Sequence, residues 1–175
     1  HQCRKAKEDL LSSAEADGKA EITVLGSGGK LIAGALRGTL TRRDAEAQIL
    51  DGFFPAVGLD ELPEGGARTG LTEWGLPYVQ DPAVTRHLAA FWTRFASLIR
   101  DETGRENLYP DFLLFNGGAL TPDSIRGRIL ETVGQWFRDV AGPDWSPREL
   151  ENPTPELAVA QGAAYYGKVR LGRGV

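Results

Sequence analysis

Apolar residues recur along the chain with two different periods, and these predict helices and strands before any composition is counted. In residues 1–17, HQCRKAKEDLLSSAEAD, the side chains Ala6, Leu10 and Ala14 fall four apart among good helix formers. No breaker intervenes before Gly18, so the segment reads as a helix ending at that glycine. Two runs rich in Ile, Val, Leu and Thr follow, KAEITVLG and GKLIAGALRGTLT, separated by the glycine-rich stretch Gly26 to Gly29. They predict a hairpin or two strands of a small sheet. Thr41 and Asp44 resemble a capping box, with Asp where Glu or Gln is usual, and predict a helix through RRDAEAQILDGFF that stops by Pro55.

Residues 55–80 are rich in Gly and Pro and have little period, which predicts an irregular excursion of a length that is usually functional or an addition. Asp81 and Pro82 then read as the N-cap and first position of a long helix, with Val84, Leu88, Phe91, Trp92, Phe95 and Leu98 as its buried stripe. After a turn at Gly104, DFLLF reads as a strand. Thr121 and Pro122 open a helix lined on one side by Ile125, Ile129, Val133 and Phe137. AGPDWSPRELENP reads as a loop, and Thr154 with Pro155 starts a last helix, ELAVAQGAAYYGKVRL. Strands flanked by long helices predict an α/β arrangement in which FLLF is buried in a sheet covered on both faces. The expected division is a first lobe at residues 1–108, carrying the insertion 55–80, and a second at 109–175, with the boundary near Tyr109.

Composition narrows the function classes. A chain of 175 residues suits one ordinary domain or two small subdomains with a real core. Twenty basic residues are scattered against 24 acidic ones, which argues against a nucleic-acid groove or an anionic membrane as partner. The single cysteine, Cys3, permits no internal disulfide and fits a reducing cytoplasm. No apolar run approaches the roughly 18 residues that span a bilayer, and no segment reads as a signal peptide. The sequence contains no methionine and begins at His1, so it reads as a processed product or, in preference, an excised piece of a longer protein.

Among candidate sites, Gly117 and Gly118 stand at a strand exit facing a helix start. Glycines there serve either a tight turn or an anion or nucleotide seat that side chains would block. GGALTPD lacks the spacing of a dinucleotide fingerprint, and in GSGGKLIAG the residue after Lys30 is Leu31, where a phosphate loop needs Ser or Thr for magnesium. That second cluster reads as a hairpin turn. His1 and His87 assemble no metal cluster or catalytic dyad, Ser12 and Ser13 have no nucleophile-elbow setting, and Asp60 with Glu61 sits in a loop. No catalytic or metal-binding residue is therefore assigned. Trp92 and Trp136 have core-like helical spacing, whereas Trp74 and Tyr78 in the insertion could anchor a partner.

Four segments, in order, resemble the seventy-kilodalton heat-shock chaperones of the DnaK type. CRKAKEDLLSS is similar to that family's lysine-rich A-K-x-x-L-S-S helix beside adenine, and LTRRDAEAQI to its I-T-R-x-x-F-E-x-L. DFLLFNGGALTPDSIRGRILETVGQWF is similar to the adenosine motif L-V-G-G-S-T-R-I-P-x-I, and NPTPELAVAQGAAYYG to N-P-D-E-A-V-A-x-G-A-A. The four segments together span 64 of the 175 residues, none of them within residues 55–80.

The resemblance implies the actin-like ATPase (ribonuclease H-like) fold, of which this chain would be a fragment of the second lobe: subdomain IIB, then the C-terminal part of IIA. It also implies a place in the ATP-binding domain of a molecular chaperone, closing over the adenosine end of ATP or ADP, with magnesium bound by the full-length parent. Lys7 matches the lysine beside adenosine, Gly117 and Gly118 the glycines under the nucleoside and α-phosphate, and Glu156 the acidic residue opening the last helix. Ala119 stands where the family has Ser, and the arginine that stacks on adenine is missing from ALTP. Without a gap, Glu8 replaces a frequent basic residue and Leu11 the contacting serine, which a shift of one restores as Ser12. The phosphate loops and their acidic residues are absent, so the fragment by itself is expected neither to hydrolyse ATP nor to bind it tightly. The implied partners are the remaining ATPase lobe and the peptide-binding region of the parent, with a co-chaperone or exchange factor besides. The alternative is a protein-interaction module of the same fold, with nucleotide binding weak or lost and the insertion as its contact surface.

Overall fold

The computed structural model describes residues 2–12, 15, 17–25, 35–63 and 81–173. The expectations on His1, Ser13, Lys30 and Leu31, and on Trp74 and Tyr78, lie outside the described residues. The chain forms two compact units, His1–Gly52 and Phe53–Val175, so the division expected near Tyr109 falls inside the second.

In the first unit, helix α1 (Gln2–Ser12) precedes two antiparallel strands, β1 (Lys19–Leu25) and β2 (Ala35–Thr41), and helix α2 (Arg42–Phe53) follows. The strands pair in the register Lys19↔Thr41 to Leu25↔Ala35, as the two runs separated by glycines predicted. Ala6, Leu10 and Leu11 turn inward from α1, and Ala45 from α2. Gly18 lets the chain reverse closely under α1, since a Cβ there would meet Leu10 Cδ2 at 3.3 Å. Thr41 caps α2: its Oγ1 accepts the Asp44 N–H at 3.1 Å and donates its own proton to Asp44 Oδ2 at 2.6 Å. The usual capping box closes instead on the N-cap backbone N–H, which the shorter Asp side chain does not reach.

The second unit is built on α3 (Val84–Thr103), β3 (Phe112–Leu114), α4 (Asp123–Ala141), β4 (Arg148–Leu150) and α5 (Ala158–Arg170). All four residues predicted to line α4 are buried: Ile125, Ile129, Val133 and Phe137. Phe137 is the hub of an aromatic cluster, edge-on to Trp92 of α3 at 5.2 Å and to Trp145 at 6.1 Å, with Tyr109 against Trp145 at 4.9 Å. The chain at 54–57 is strapped to both helices by its backbone carbonyls. Pro55 O accepts from Thr85 Oγ1 at 2.7 Å, Val57 O from Trp136 Nε1 at 2.6 Å, and Phe54 O from Arg128 at 3.3 Å.

Three expectations are corrected. The buried stripe of α3 is rotated: Thr85 and Ala89 are the buried positions, while Val84, Phe91 and Leu98 are exposed at 43, 55 and 52%. Leu88, Trp92 and Phe95 of the expected stripe are half-buried, Trp92 against Phe137, and the turn of the helix follows from the Thr85 bond to Pro55, which apolar periodicity cannot see. The helix starts at Val84, and Asp81 caps it from outside by accepting the Ala83 N–H at 2.8 Å and pairing with Arg86 at 3.1 Å. Similarly α4 has Pro122 as N-cap with no side-chain cap bond, so Thr121 does not play that part.

The third correction concerns the sheet. RELENP, read as loop, supplies β4, which pairs in parallel with β3 (Phe112↔Arg148, Leu113↔Glu149, Leu114↔Leu150). This pair leaves Phe112 and Leu114 half exposed, at 50 and 53%, rather than buried between two layers. Side chains alternate along a strand, so these two share one face, over which the Arg148 guanidinium lies 5.6 Å from the Phe112 ring. Just before β3, Arg105 pairs with Asp111 at 2.7 Å; its hydrogen bond, then its charge, hold the Asp111 carboxyl below the usual carboxylate range.

Replacing Phe137 by Ala is expected to lower the unfolding free energy by about 3–5 kcal/mol in urea titration, because it empties the centre of the cluster. Leu98→Ala is expected to change it by less than about 1 kcal/mol. Equal losses at both positions would restore the stripe read from sequence.

Candidate functional site

The two exits of the parallel strand pair converge. After Phe115 the chain turns through Asn116 and Gly117 into a 3-10 turn at Gly118–Leu120, and after β4 it passes Asn152 into a second 3-10 turn at Pro155–Leu157 that leads into α5. Gly117 has φ +96° and ψ 142°, a backbone conformation that side chains strongly resist, and its N–H donates to Pro155 O at 2.7 Å. Gly118 has no such constraint. A Cβ on it would lie 3.7 Å from the Glu156 Cβ, in ordinary contact. The two glycines therefore serve different ends: Gly117 makes the turn, and Gly118 keeps the surface beside Glu156 low.

Of the residues singled out from sequence, Gly117, Gly118, Ala119 and Glu156 come together in the second unit, although Glu156 stands 38 positions from Gly118 in the chain. Ala119 and Glu156 are exposed. Lys7 and Ser12 belong to the first unit, on α1, five residues and so roughly 140° apart around it. Both are exposed, and the Ser12 hydroxyl donates to the Glu8 carbonyl one turn back. Leu11, which stands where the chaperone family has its contacting serine, is buried in the core of the first unit. Only the shifted position, Ser12, is on the surface.

A cavity of about 490 Å³ opens where β3 and β4 end, lined by Phe115, Thr121, Arg126, Glu149, Leu150 and Asn152 among others. Among the described lining residues Arg126 is the only basic one, and both of its terminal nitrogens are hydrogen-bonded. It donates to Leu120 O at 3.3 Å, to Thr121 O and to Asp123, and its Nε lies 2.7 Å from Glu149 Oε1, an ion pair in which the N–H is not aimed along the contact. With Glu149 and Glu151 also on the wall, the cavity offers no uncommitted cation to a phosphate; its aromatic and amide groups suit an uncharged ring or sugar. Among the described residues no cluster of His, Cys, Asp and Glu could hold a metal ion, and no helix is long and apolar enough to cross a membrane.

Asn152, Asn116 and Arg126 were missed in the sequence. An Asn before Pro at a strand exit is a turn former, and that was the available signal for Asn152; nothing local marks Arg126. No protein-family model, curated protein or solved structure matches the chain.

Gly117→Ala is expected to destabilise the protein by about 1–3 kcal/mol, although no atom lies within 4 Å of the added methyl, because the cost is in the backbone. Gly127→Ala, inside α4 with equally open space, is expected to stabilise by roughly 0.5–1 kcal/mol. Thermal unfolding of the two variants checks the contrast in sign.

Proposed function

We propose that the chain is part of the ATP-binding domain of a divergent heat-shock-type chaperone, a fragment of the second lobe of an actin-like ATPase fold, and that it closes over the adenosine end of ATP or ADP. One observation carries the reading. Gly118 and Glu156, which belong to two separate segments resembling the chaperone family, lie near one another at the C-terminal ends of parallel strands, a Cβ added to Gly118 falling 3.7 Å from the Glu156 Cβ, where open α/β sheets bind their ligands. The neighbouring cavity supports the adenosine end over the phosphates, because Arg126 is spent on carboxylates and carbonyls. Magnesium and the phosphate clamps belong, in this reading, to the rest of the parent, in the cytoplasm, together with a peptide-binding region and any exchange factor. Hydrolysis is likewise a property of the parent. Lys7, and Ser12 after a shift of one, match the family's base-contacting positions on α1.

A second reading, a protein-interaction module with weak or lost nucleotide binding, is favoured by the Gly117 N–H being already donated to Pro155 O and by Ala119 carrying no hydroxyl. Calorimetric titration with ATP and ADP separates the two. The full-length protein is expected to bind, and the 175-residue chain alone to bind weakly or not at all. In the full-length protein Gly118→Val is expected to lower affinity at least about tenfold with unchanged helicity, since its branched side chain projects beyond the contact with Glu156. Unaltered affinity in this variant would sink the nucleotide reading.

A further inference from the structure

We infer that Asn152 is a positioning residue: its carboxamide ties the exit of β4 to the exit of β3 and thereby sets the shape of the double-glycine seat. The inference rests on the nucleotide reading above. Asn152 Nδ2 donates to Phe115 O at 3.2 Å and to Asn116 Oδ1 at 2.8 Å, and its Oδ1 accepts the Thr154 N–H at 3.2 Å. One half-buried side chain thus holds the residues flanking both turns: Phe115 and Asn116 precede the glycines, and Thr154 precedes Pro155. Pro155 in turn receives the Gly117 N–H at 2.7 Å, and the next residue, Glu156, is the neighbour of Gly118. Releasing Asn152 frees the 152–156 segment to move relative to Gly117 and Gly118.

The chemistry of the pair is asymmetric. Asn152 is the donor to two acceptors, whereas Asn116 is an acceptor, so a carboxylate is tolerated at 116 and not at 152. At position 152 an ionised Asp keeps the bond from Thr154 but faces the Phe115 carbonyl with no proton to offer. Even if the Asn116 amide turns over to donate to it, the Phe115 bond is lost. Protonation of that Asp returns one donor.

The test is calorimetric titration of ATP into the full-length protein carrying Asn152→Asp, Asn152→Ala or Asn116→Asp, with hydrogen exchange at the Gly117 amide followed in parallel. Asn152→Asp and Asn152→Ala are expected to weaken ATP binding about tenfold and to speed Gly117 exchange. Asn116→Asp, which adds the same charge a few ångströms away, is expected to stay within about twofold of wild type. Affinity of Asn152→Asp is expected to recover only as pH falls toward about 4, where an Asp carboxyl takes up its proton, while Asn152→Ala, which cannot titrate, stays weak throughout. Equal losses from Asn152→Asp and Asn116→Asp would mean simple repulsion of the nucleotide and overturn the role. So would full affinity in Asn152→Ala, the variant that adds no charge and keeps the inference testable should Asn152→Asp fail to fold. A wild-type protein that binds no ATP overturns the nucleotide reading and this role with it, whereas wild-type binding with indifferent Asn152 variants overturns this role alone.

Discussion

One stripe of α4 organises the second unit. Ile125, Ile129, Val133 and Phe137 bury a continuous apolar strip, and Phe137 at its end collects Trp92, Trp136 and Trp145 around it. Burial on this scale requires every backbone group drawn in with it to find a partner. The carbonyls of Phe54, Pro55 and Val57 find theirs in Arg128, Thr85 and Trp136, so the polar edges of α3 and α4 are as constrained as their apolar ones. Even the glycine on the strip has a packing reason: a Cβ on Gly134 would meet the Trp145 carbonyl oxygen at 3.4 Å, so the absence of a side chain lets that segment lie close to the helix.

The same helix bears on the chemistry of the strand ends. Its first turn carries Arg126, which reaches back to the carbonyls of Leu120 and Thr121 and across to Glu149 of β4, joining α4 to both exits of the sheet. A guanidinium used in this way is a structural cross-link, and it leaves the adjoining cavity with amide, aromatic and carboxylate groups. Recognition there would run through shape and neutral hydrogen bonds, with any phosphate charge met elsewhere. The turn beside the cavity is made by backbone: one glycine bends the chain, the next is left bare, and two asparagine side chains and a proline carbonyl hold the neighbouring loop against them.

Much of this could be read from the order of residues alone, because it is local. The α4 stripe follows from 3.6-residue spacing of large apolar side chains, the β1–β2 pairing from two strand-forming runs parted by glycines, the cap of α2 from Thr41 and Asp44, and the turn at Gly117 from two adjacent glycines after an apolar strand. Tertiary structure decided what depends on partners distant in sequence. Arg148–Leu150 has no strand pattern of its own and becomes a strand only by pairing with Phe112–Leu114. The buried face of α3 was set in part by a Thr85 bond to a carbonyl thirty residues away, which left Val84, Phe91 and Leu98 of the expected stripe exposed while Trp92 kept its place against Phe137. Gly118 and Glu156 could each be picked out by resemblance, but their contact, and the Asn152 bonds beside it, exist only because two parallel strands end side by side. Sequence determines which conformations each segment prefers; which distant polar groups are left to satisfy one another is settled only when the segments are packed.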